Sequence, residues 1–392
     1  MPSKQRNILF MGGIPGPART FYFHLFNSLA QEFEVQGWKT FVCPTYLDDA
    51  SLYAYCVGIK PDVVFEINNP ATDSRRVPAG TKHITWIQDP FLPFTSDDIR
   101  SDIIYFILDP RNLDYQFDMP KGWKFLVPGV NPKLYFYKEN VEKITDLTFA
   151  GYIPEYKHPA APFLYKNDLT PWLGLSFGEF ISEIYPQIPW VHGDFDYPRM
   201  MLLINQLMTG HLGSNWVSKL GPRNYPNFFG RYIPRLMDRK ALIEQALRTK
   251  RSFRIYGTET WETWEKYMPY YQGYLVEPWE MREVYQSTWI SLHANMHGWG
   301  MHFRVLDIMG SGGVVTANIS SRNRMGGGIE NYFEPNVHYI PFDMFTLHET
   351  LKEALADKDR LLKMGAEAHK LVTAKHTWKH RAQQIMNDLA EL

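Results

Sequence analysis

Residues 289–317 read WISLHANMHGWGMHFRVLDIMGSGGVVTA, and this segment is the most informative about the fold. Its pattern predicts a strand at residues 289–293, a loop with Gly298 and Gly300, a helix, a glycine turn, and a strand at residues 313–317. A buried strand that leads through a glycine loop into a helix is typical of a parallel sheet covered by helices.

Two series of such strands run along the chain. Continuous apolar runs that alternate with helical patterns indicate parallel sheets covered on both faces, so each series predicts a Rossmann-like domain. We therefore expect an α/β fold in which the two domains face a central cleft. The predicted strands are residues 7–11, 39–43, 61–67, 83–88, 103–107 and 124–127 in the first series and 146–151, 252–257, 289–293 and 313–317 in the second.

Three boundaries follow from this pattern. The first domain is predicted at residues 1–140 and the second at residues 141–375. An irregular, partly helical insertion at residues 155–245 interrupts the second domain, because one crossover helix does not need so long a connection. Residues 376–392 are predicted to form a C-terminal helix that returns to the first domain.

Composition excludes several classes of protein. The 392 residues contain 41 Lys and Arg against 42 Asp and Glu, whereas a dedicated nucleic-acid binder normally carries a basic excess. The sequence has no apolar run of the roughly 18 residues that a membrane span needs. Its 2 cysteines form no disulfide framework, so the sequence favours a reduced, cytoplasmic protein.

The loop at residues 298–301 opens a helix whose free backbone N–H groups and dipole suit a diphosphate. Arg304 lies one turn into this helix and offers a bidentate contact to phosphate. Asp307, on the same face, can accept hydrogen bonds from ribose hydroxyls. His293 ends the preceding strand and is a further candidate phosphate contact. The alternative is a buried structural helix in which Arg304 and Asp307 pair with each other.

This segment resembles the C-terminal half of group 1 GT-B glycosyltransferases, together with residues 331–335 and the sequence KHTWKHRA at residues 375–382. The greatest similarity is to the CgeB-like (spore-maturation-type) branch. The resemblance covers residues 250–390 well and residues 60–150 loosely. It implies a GT-B fold and a nucleotide diphosphate sugar as donor. The donor-binding residues that it predicts are Gly12, Gly13, Tyr256, Gly257, His293, Gly298, Gly300, Met301, Arg304 and Asp307.

The resemblance also bears on stereochemistry. Retaining members of the wider group carry Glu-x7-Glu; if Asp307 fills the second position, the first falls on Trp299. This departure favours an inverting reaction, in which a carboxylate of the first domain deprotonates the acceptor hydroxyl. Asp89 is the predicted base and Glu66 its rival, since each follows or ends an apolar strand. A helix cap or a turn is the alternative role for either residue.

Metal chemistry is not predicted. Asp194-Phe195-Asp196 has the D-x-D form of metal-dependent glycosyltransferases, but it falls in the insertion, and so short a pattern arises easily by chance. The three histidines at 293, 297 and 302 lack a carboxylate or thiolate to complete a zinc set. We therefore expect no metal and no cofactor, with the nucleotide sugar acting as co-substrate.

The sequence thus predicts a metal-independent glycosyltransferase that transfers a sugar to an acceptor hydroxyl. The acceptor is a glycan, a protein or a small molecule, and nucleic acid is less favoured by the charge balance. Two alternatives from other classes stay open at this point. One is a non-catalytic protein that binds a nucleotide or sugar, and the other is a DNA-base glucosyltransferase.

Overall fold

The structure is a computed structural model that describes residues 5–12, 18–43, 45, 47–69, 76–88, 101–107, 122–153, 197–214, 233–293 and 301–392. The chain divides into two compact units. The first unit comprises Met1–Tyr135, Met325–Gly327 and Lys370–Leu392, and the second comprises Phe136–Arg324 and Gly328–His369. Within the described ranges, no helix combines the length and apolar character needed to cross a bilayer.

The first unit contains a six-stranded parallel sheet in the order β2-β1-β3-β4-β5-β6. The order reverses between β1 and β3, which is the position where open α/β sheets bind ligands beyond the carboxyl ends of their strands. The strands are β1 (Asn7–Met11), β2 (Lys39–Cys43), β3 (Val63–Ile67), β4 (Lys82–Ile87), β5 (Ile103–Phe106) and β6 (Lys124–Phe125), and the first two helices are α1 (Ala18–Val35) and α2 (Asp49–Ile59).

Helices cover both faces of this sheet, as the apolar strands predict. Side chains alternate between the faces of a strand. The Phe10 ring of β1 packs against the rings of Phe26 and Phe33 of α1, with centroids 5.8 and 5.5 Å apart. Its neighbour Leu9 packs on the opposite face with Leu52 of α2. Both faces of β1 are therefore buried.

The chain ends in the first unit, where α9 (Trp378–Ala390) packs against α1. The Tyr105 hydroxyl donates to Asp388 Oδ2 at 2.5 Å, and Lys124 Nζ lies 2.5 Å from Asp388 Oδ1. The backbone before the helix pairs with residue 130, and a Cβ at Gly129 would lie 2.8 Å from the Trp378 nitrogen. Glycine is required at 129 because the two backbones approach so closely.

The second unit contains three parallel strands in the order β8-β7-β9 and a parallel pair, β10-β11. Its strands are β7 (Thr145–Ala150), β8 (Phe253–Tyr256), β9 (Thr288–Leu292), β10 (Thr316–Asn318) and β11 (Ile340–Phe342). A bridge between Ser291 and Val315 connects β9 to the chain that enters β10. The parallel α/β architecture predicted from the sequence is confirmed in both units.

Helices pack around these strands. The helix α4 immediately precedes β8 in the long connection from β7, and its Leu236, Leu242 and Ile243 lie in the same hydrophobic core as Leu147 of β7. It is therefore the crossover helix of this unit. The helices are α3 (Tyr197–Leu212), α4 (Ile233–Arg248), α5 (Pro278–Ser287), α6 (Phe303–Gly310), α7 (Leu347–Ala356) and α8 (Lys358–Lys375), the last of which ends in the first unit.

Two differences from the predicted elements concern the end of the second unit. The strand predicted at residues 313–317 begins only at Thr316, because Gly312, at φ +74°, and Gly313 form the turn that follows α6. The strand β11 is not in the predicted set. It is three residues long and contains Pro341, which cannot donate to a ladder and is tolerated at a sheet edge.

Candidate functional site

The carboxyl ends of β7 and β8 meet at a pair of glycines in the second unit. The Gly151 N–H donates to the Tyr256 carbonyl at 2.8 Å, and the Trp261 indole N–H donates to the Gly151 carbonyl at 2.7 Å. A Cβ at Gly257 would lie only 2.1 Å from the Gly151 carbonyl oxygen. Only glycine fits at 257, where the buried end of β8 packs against Gly151 beside the half-buried Tyr256.

The helix α6 brings Arg304 and Asp307 to this edge. A Cβ placed on Gly151 would lie 3.8 Å from an Arg304 guanidinium nitrogen, so the guanidinium lies beside the end of β7. Burial raises the pKa of the neighbouring Tyr285, against the opposing effect of the Arg304 charge. Burial raises the pKa of Asp307 to about 8, despite the opposing effect of the neighbouring Arg304. Asp307 is therefore mainly a neutral carboxylic acid at neutral pH, able to donate as well as accept a hydrogen bond.

Two further arginines reach the site from α4. Arg235 and Arg239, one turn apart, both lie over the Tyr152 ring, with guanidinium carbons 5.2 and 4.4 Å from its centroid. Arg235 donates to the Tyr152 hydroxyl and Arg239 donates to the Tyr152 carbonyl. Burial and the charges of Arg235 and Arg304 hold the pKa of Arg239 well below its usual range. Arg235 and Arg304 are therefore both close enough to repel the guanidinium of Arg239.

Two histidines complete this group. His293 follows β9 and is only 2% exposed, and neither of its ring nitrogens has a hydrogen-bond partner among the described residues. The His302 ring lies 5.5 Å from it, centroid to centroid. Burial, with the charges of Arg304 and Arg239, holds the pKa of both imidazoles well below the usual value, so both rings are neutral at neutral pH.

We refer to Arg235, Arg239, Arg304, His293 and His302 as the cationic cluster. Burying like charges together is costly unless anions or hydrogen bonds compensate them. One nearby carboxylate, Asp238, offsets part of the charge on Arg239, whereas the Asp307 carboxyl is mainly neutral. Such a concentration of guanidinium groups at strand ends and a helix N-terminus suits a polyanion such as a diphosphate.

Arg235 and Arg239 are not among the site residues predicted from the sequence. They lie in the predicted insertion at residues 155–245, whose helical stretches carry no predicted site residue. The available signal was the spacing of the two arginines, which places both on one face of a helix. That spacing alone does not distinguish a ligand site from a solvated face.

The structure also locates the other predicted residues of the second unit. Tyr256, Gly257, His293, Met301, Arg304 and Asp307 come together at the carboxyl edge of its sheet, with Met301 buried just before α6. Gly298 and Gly300 lie outside the described residues, and so does the D-x-D at residues 194–196. Among the described residues, no group of three or more His, Cys, Asp or Glu side chains is arranged to hold a metal ion.

In the first unit, Glu66 forms a buried ion pair. Its two carboxylate oxygens accept from Arg76 Nε and Nη2 at 2.9 and 2.8 Å, and His83 Nε2 lies 2.7 Å from Oε2. Asn69 donates to Oε1 at 2.9 Å. Glu66 is 2% exposed. A carboxylate with both oxygens bonded and no solvent access is suited to stabilising the fold rather than to removing a proton from an acceptor.

Of the remaining predicted residues of this unit, the structure describes Gly12. Gly12 follows β1, and a Cβ there would lie 2.3 Å from the Phe26 ring, so glycine allows α1 to pack closely on the strand end. Gly13 and Asp89 lie outside the described residues. The described chain stops one residue before Asp89, where the Gln88 N–H donates to Asn68 Oδ1 at 2.7 Å.

Comparisons with known proteins give a consistent result. Residues 239–387 match the family described as glycosyl transferase-like, and the match begins at Arg239 of the cationic cluster. No curated protein sequence matches the chain significantly.

Solved structures resemble the chain over its whole length. HepE of Anabaena, crystallised with UDP-glucose, has 12% identity and a TM-score of 0.54, over 98% of this chain and 100% of HepE. AviGT4, a glycosyltransferase involved in avilamycin A biosynthesis, has 12% identity and a TM-score of 0.52, over 97% of this chain and 96% of AviGT4. A glycosyltransferase of Rickettsia africae has 9% identity and a TM-score of 0.51, over 99% and 98% of the two chains. The chain thus has the GT-B glycosyltransferase fold, and its residues 239–387 match the glycosyl transferase-like family.

Proposed function

We propose that this protein transfers a sugar from a nucleoside diphosphate sugar to an acceptor hydroxyl, and that the second unit binds the donor. The observation that carries the proposal is the cationic cluster, in which three guanidinium groups and two neutral imidazoles gather where β7, β9 and α6 meet. A diphosphate would supply the missing negative charge and would accept hydrogen bonds from these donors.

The neighbouring residues suit the nucleoside part of the donor. Asp307, one turn further along α6 than Arg304, offers a neutral carboxyl group that can both donate to and accept from ribose hydroxyls. At the end of β8, the half-buried Tyr256 precedes Gly257, which packs closely against Gly151. We propose that this pair borders the base. HepE was crystallised with UDP-glucose, and UDP is therefore the first nucleotide to test.

The same cations support a reaction without a metal ion. When the bond to the sugar breaks, negative charge develops on the leaving diphosphate, and preorganised guanidinium groups stabilise that charge in a dry site. We expect transfer to persist after chelation with EDTA. Abolition by EDTA with recovery on adding manganese would instead assign a role to Asp194 and Asp196.

The acceptor base belongs to the first unit in this proposal. Asp89 is the candidate, since Glu66 is held by Arg76 and His83. Asp89→Asn keeps the size of the side chain and removes its basicity. Donor binding should be retained and turnover should fall roughly 10²–10⁴-fold, with inversion at the anomeric carbon of the product. Normal turnover of the variant, or a product of retained configuration, would refute the assignment.

Two finer assignments rest on sequence similarity. We propose that the protein belongs to the CgeB-like branch, because the residues around Arg304 and Asp307 and the motif at residues 375–382 match that pattern. We also propose that it works in the cytoplasm, where nucleotide sugars are available to it and its two cysteines would stay reduced.

The deciding experiment compares binding with turnover. UDP, uridine and UDP-glucose are titrated calorimetrically against the full chain, and UDP release is then followed with UDP-glucose and other UDP-sugars. We expect UDP to bind much more tightly than uridine, because only UDP engages the cationic cluster. Equal affinities would refute the diphosphate site. Tight binding without release of UDP from any donor, with or without acceptors, would favour a non-catalytic binding protein.

A further inference from the structure

The helix α6 begins with an unusual cap. His302 precedes the helix with extended backbone, at φ −148° and ψ 158°, and its Nδ1 accepts a hydrogen bond from the Arg304 backbone N–H at 3.2 Å. Serine, threonine, aspartate and asparagine are the preferred residues at this position. Each of them would satisfy the same N–H group with an oxygen. A histidine does so with one ring nitrogen and has a second one left.

This cap decides which ring nitrogen of His302 carries the proton. A nitrogen that accepts a hydrogen bond carries no hydrogen, so the neutral ring must be protonated on Nε2. Burial and the positive charges of Arg304, Arg239 and Arg235 keep the ring neutral by holding its pKa well below the usual value. His302 therefore presents one N–H donor on the side of the ring away from the helix.

The surroundings of that ring point to a ligand. His293, its neighbour at 5.5 Å between centroids, is 2% exposed, and both of its ring nitrogens lack a partner among the described residues. Buried polar groups are nearly always hydrogen-bonded in native proteins, and an exception calls for a missing partner. The two imidazoles and the guanidinium of Arg304 thus present donors around the start of α6.

We propose that His302 binds the diphosphate of the donor through Nε2–H while its Nδ1 caps α6. This inference rests on the proposed function, because it assumes that a nucleoside diphosphate occupies the cationic cluster. An aspartate at this position would cap the helix but would repel the phosphate, and a serine would cap it without reaching as far. Histidine combines a cap with a donor that suits an anion.

The test separates the cap from the donor. His302→Ser keeps a good cap and removes the distal N–H, and His302→Asn keeps a cap together with a shorter amide donor. UDP and uridine are titrated against both variants, and the thermal stability of the ligand-free proteins is measured alongside. We expect His302→Ser to bind UDP about tenfold or more weakly and uridine unchanged, His302→Asn to be intermediate, and the Tm of both to stay near wild type.

Nitrogen-15 NMR of the histidine rings gives an independent measurement. We expect the Nε2–H tautomer for His302 in the free protein and a shift of that nitrogen when UDP is added. An Nδ1–H tautomer, wild-type UDP affinity in His302→Ser, or an equal loss of UDP and uridine would overturn the inference. Arg304→Ala serves as the control. If Arg304→Ala binds UDP with wild-type affinity, the proposed function itself fails. If Arg304→Ala loses UDP affinity while His302→Ser keeps it, only the role of His302 is refuted.

Discussion

Replacing Arg239 by methionine separates binding from stability in one variant. The substitution keeps an unbranched apolar stem over the Phe149 and Tyr152 rings and removes the guanidinium group. In the free protein, that group donates to one carbonyl, of Tyr152, and experiences repulsion from Arg235 and Arg304. Its removal should therefore weaken nucleotide binding without weakening the fold.

The expected magnitude follows from the contacts. A hydrogen bond to a charged group contributes about 1.5–3 kcal/mol, so the Kd for UDP should rise about 10- to 150-fold. Loss of the bond to the Tyr152 carbonyl costs about 1 kcal/mol of folding free energy, and relief of the buried like-charge contacts offsets it. The Tm of the ligand-free variant should thus be no lower than that of the wild type.

Calorimetric titration with UDP and differential scanning calorimetry of the free protein measure the two quantities. Arg248→Met is the matched control, because it makes the same change on an exposed part of the same helix. It should alter neither the Kd nor the Tm appreciably. An Arg239→Met variant with wild-type affinity and a lowered Tm would show that the arginine is structural and that the reasoning is wrong.

Three further outcomes are expected. Glu66→Gln breaks the buried ion pair with Arg76 and should lower the free energy of unfolding, measured by urea denaturation, by about 3–5 kcal/mol. Turnover should persist at temperatures below the melting range of the variant. An unchanged free energy of unfolding would contradict the structural role of Glu66. Asp307→Asn should flatten the dependence of Tm on pH. The pKa of Asp307 in the folded protein, about 8, lies above the ordinary value of 3.8, so the wild type loses stability as the pH rises between these two values. Parallel curves of Tm against pH for the two proteins would refute this account. Gly257→Ala should lower the Tm and weaken UDP binding, because the new Cβ would lie 2.1 Å from the Gly151 carbonyl oxygen. Gly210→Ala is the control: it lies on the helix α3 with nothing within 4 Å of its Cβ, and it should stabilise the protein by about 1 kcal/mol. Equal effects of the two substitutions on the Tm would be evidence against the close contact at Gly257.

The sequence predicted the candidate site as far as its residues lie close together in the chain. Arg304 and Asp307 share a helical face because they are three residues apart, and the glycines after the helix indicate where it ends. The histidine cap of α6 is not predictable from the sequence, because histidine is not a usual capping residue. Which nitrogen of His302 accepts the backbone N–H depends on the rotation of one side chain.

Glu66 shows the limit of strand-end arguments. Its place at the end of an apolar strand predicted an acidic group at the carboxyl edge of the sheet. It did not reveal that Arg76 and His83, from the following loop and strand, enclose the carboxylate. An ion pair depends on the distance between side chains, and neither periodicity nor spacing contains that distance.

The parallel α/β architecture follows from the sequence, because continuous apolar strands that alternate with helical patterns are typical of sheets that helices cover on both faces. The concentration of positive charge at the site depends instead on tertiary packing. Arg235 and Arg239 are more than sixty residues before Arg304, and they meet it because the crossover helix α4 and the helix α6 both pack where β7 ends. Local patterns follow from the geometry of one backbone segment, whereas a cluster of charges forms where distant segments converge.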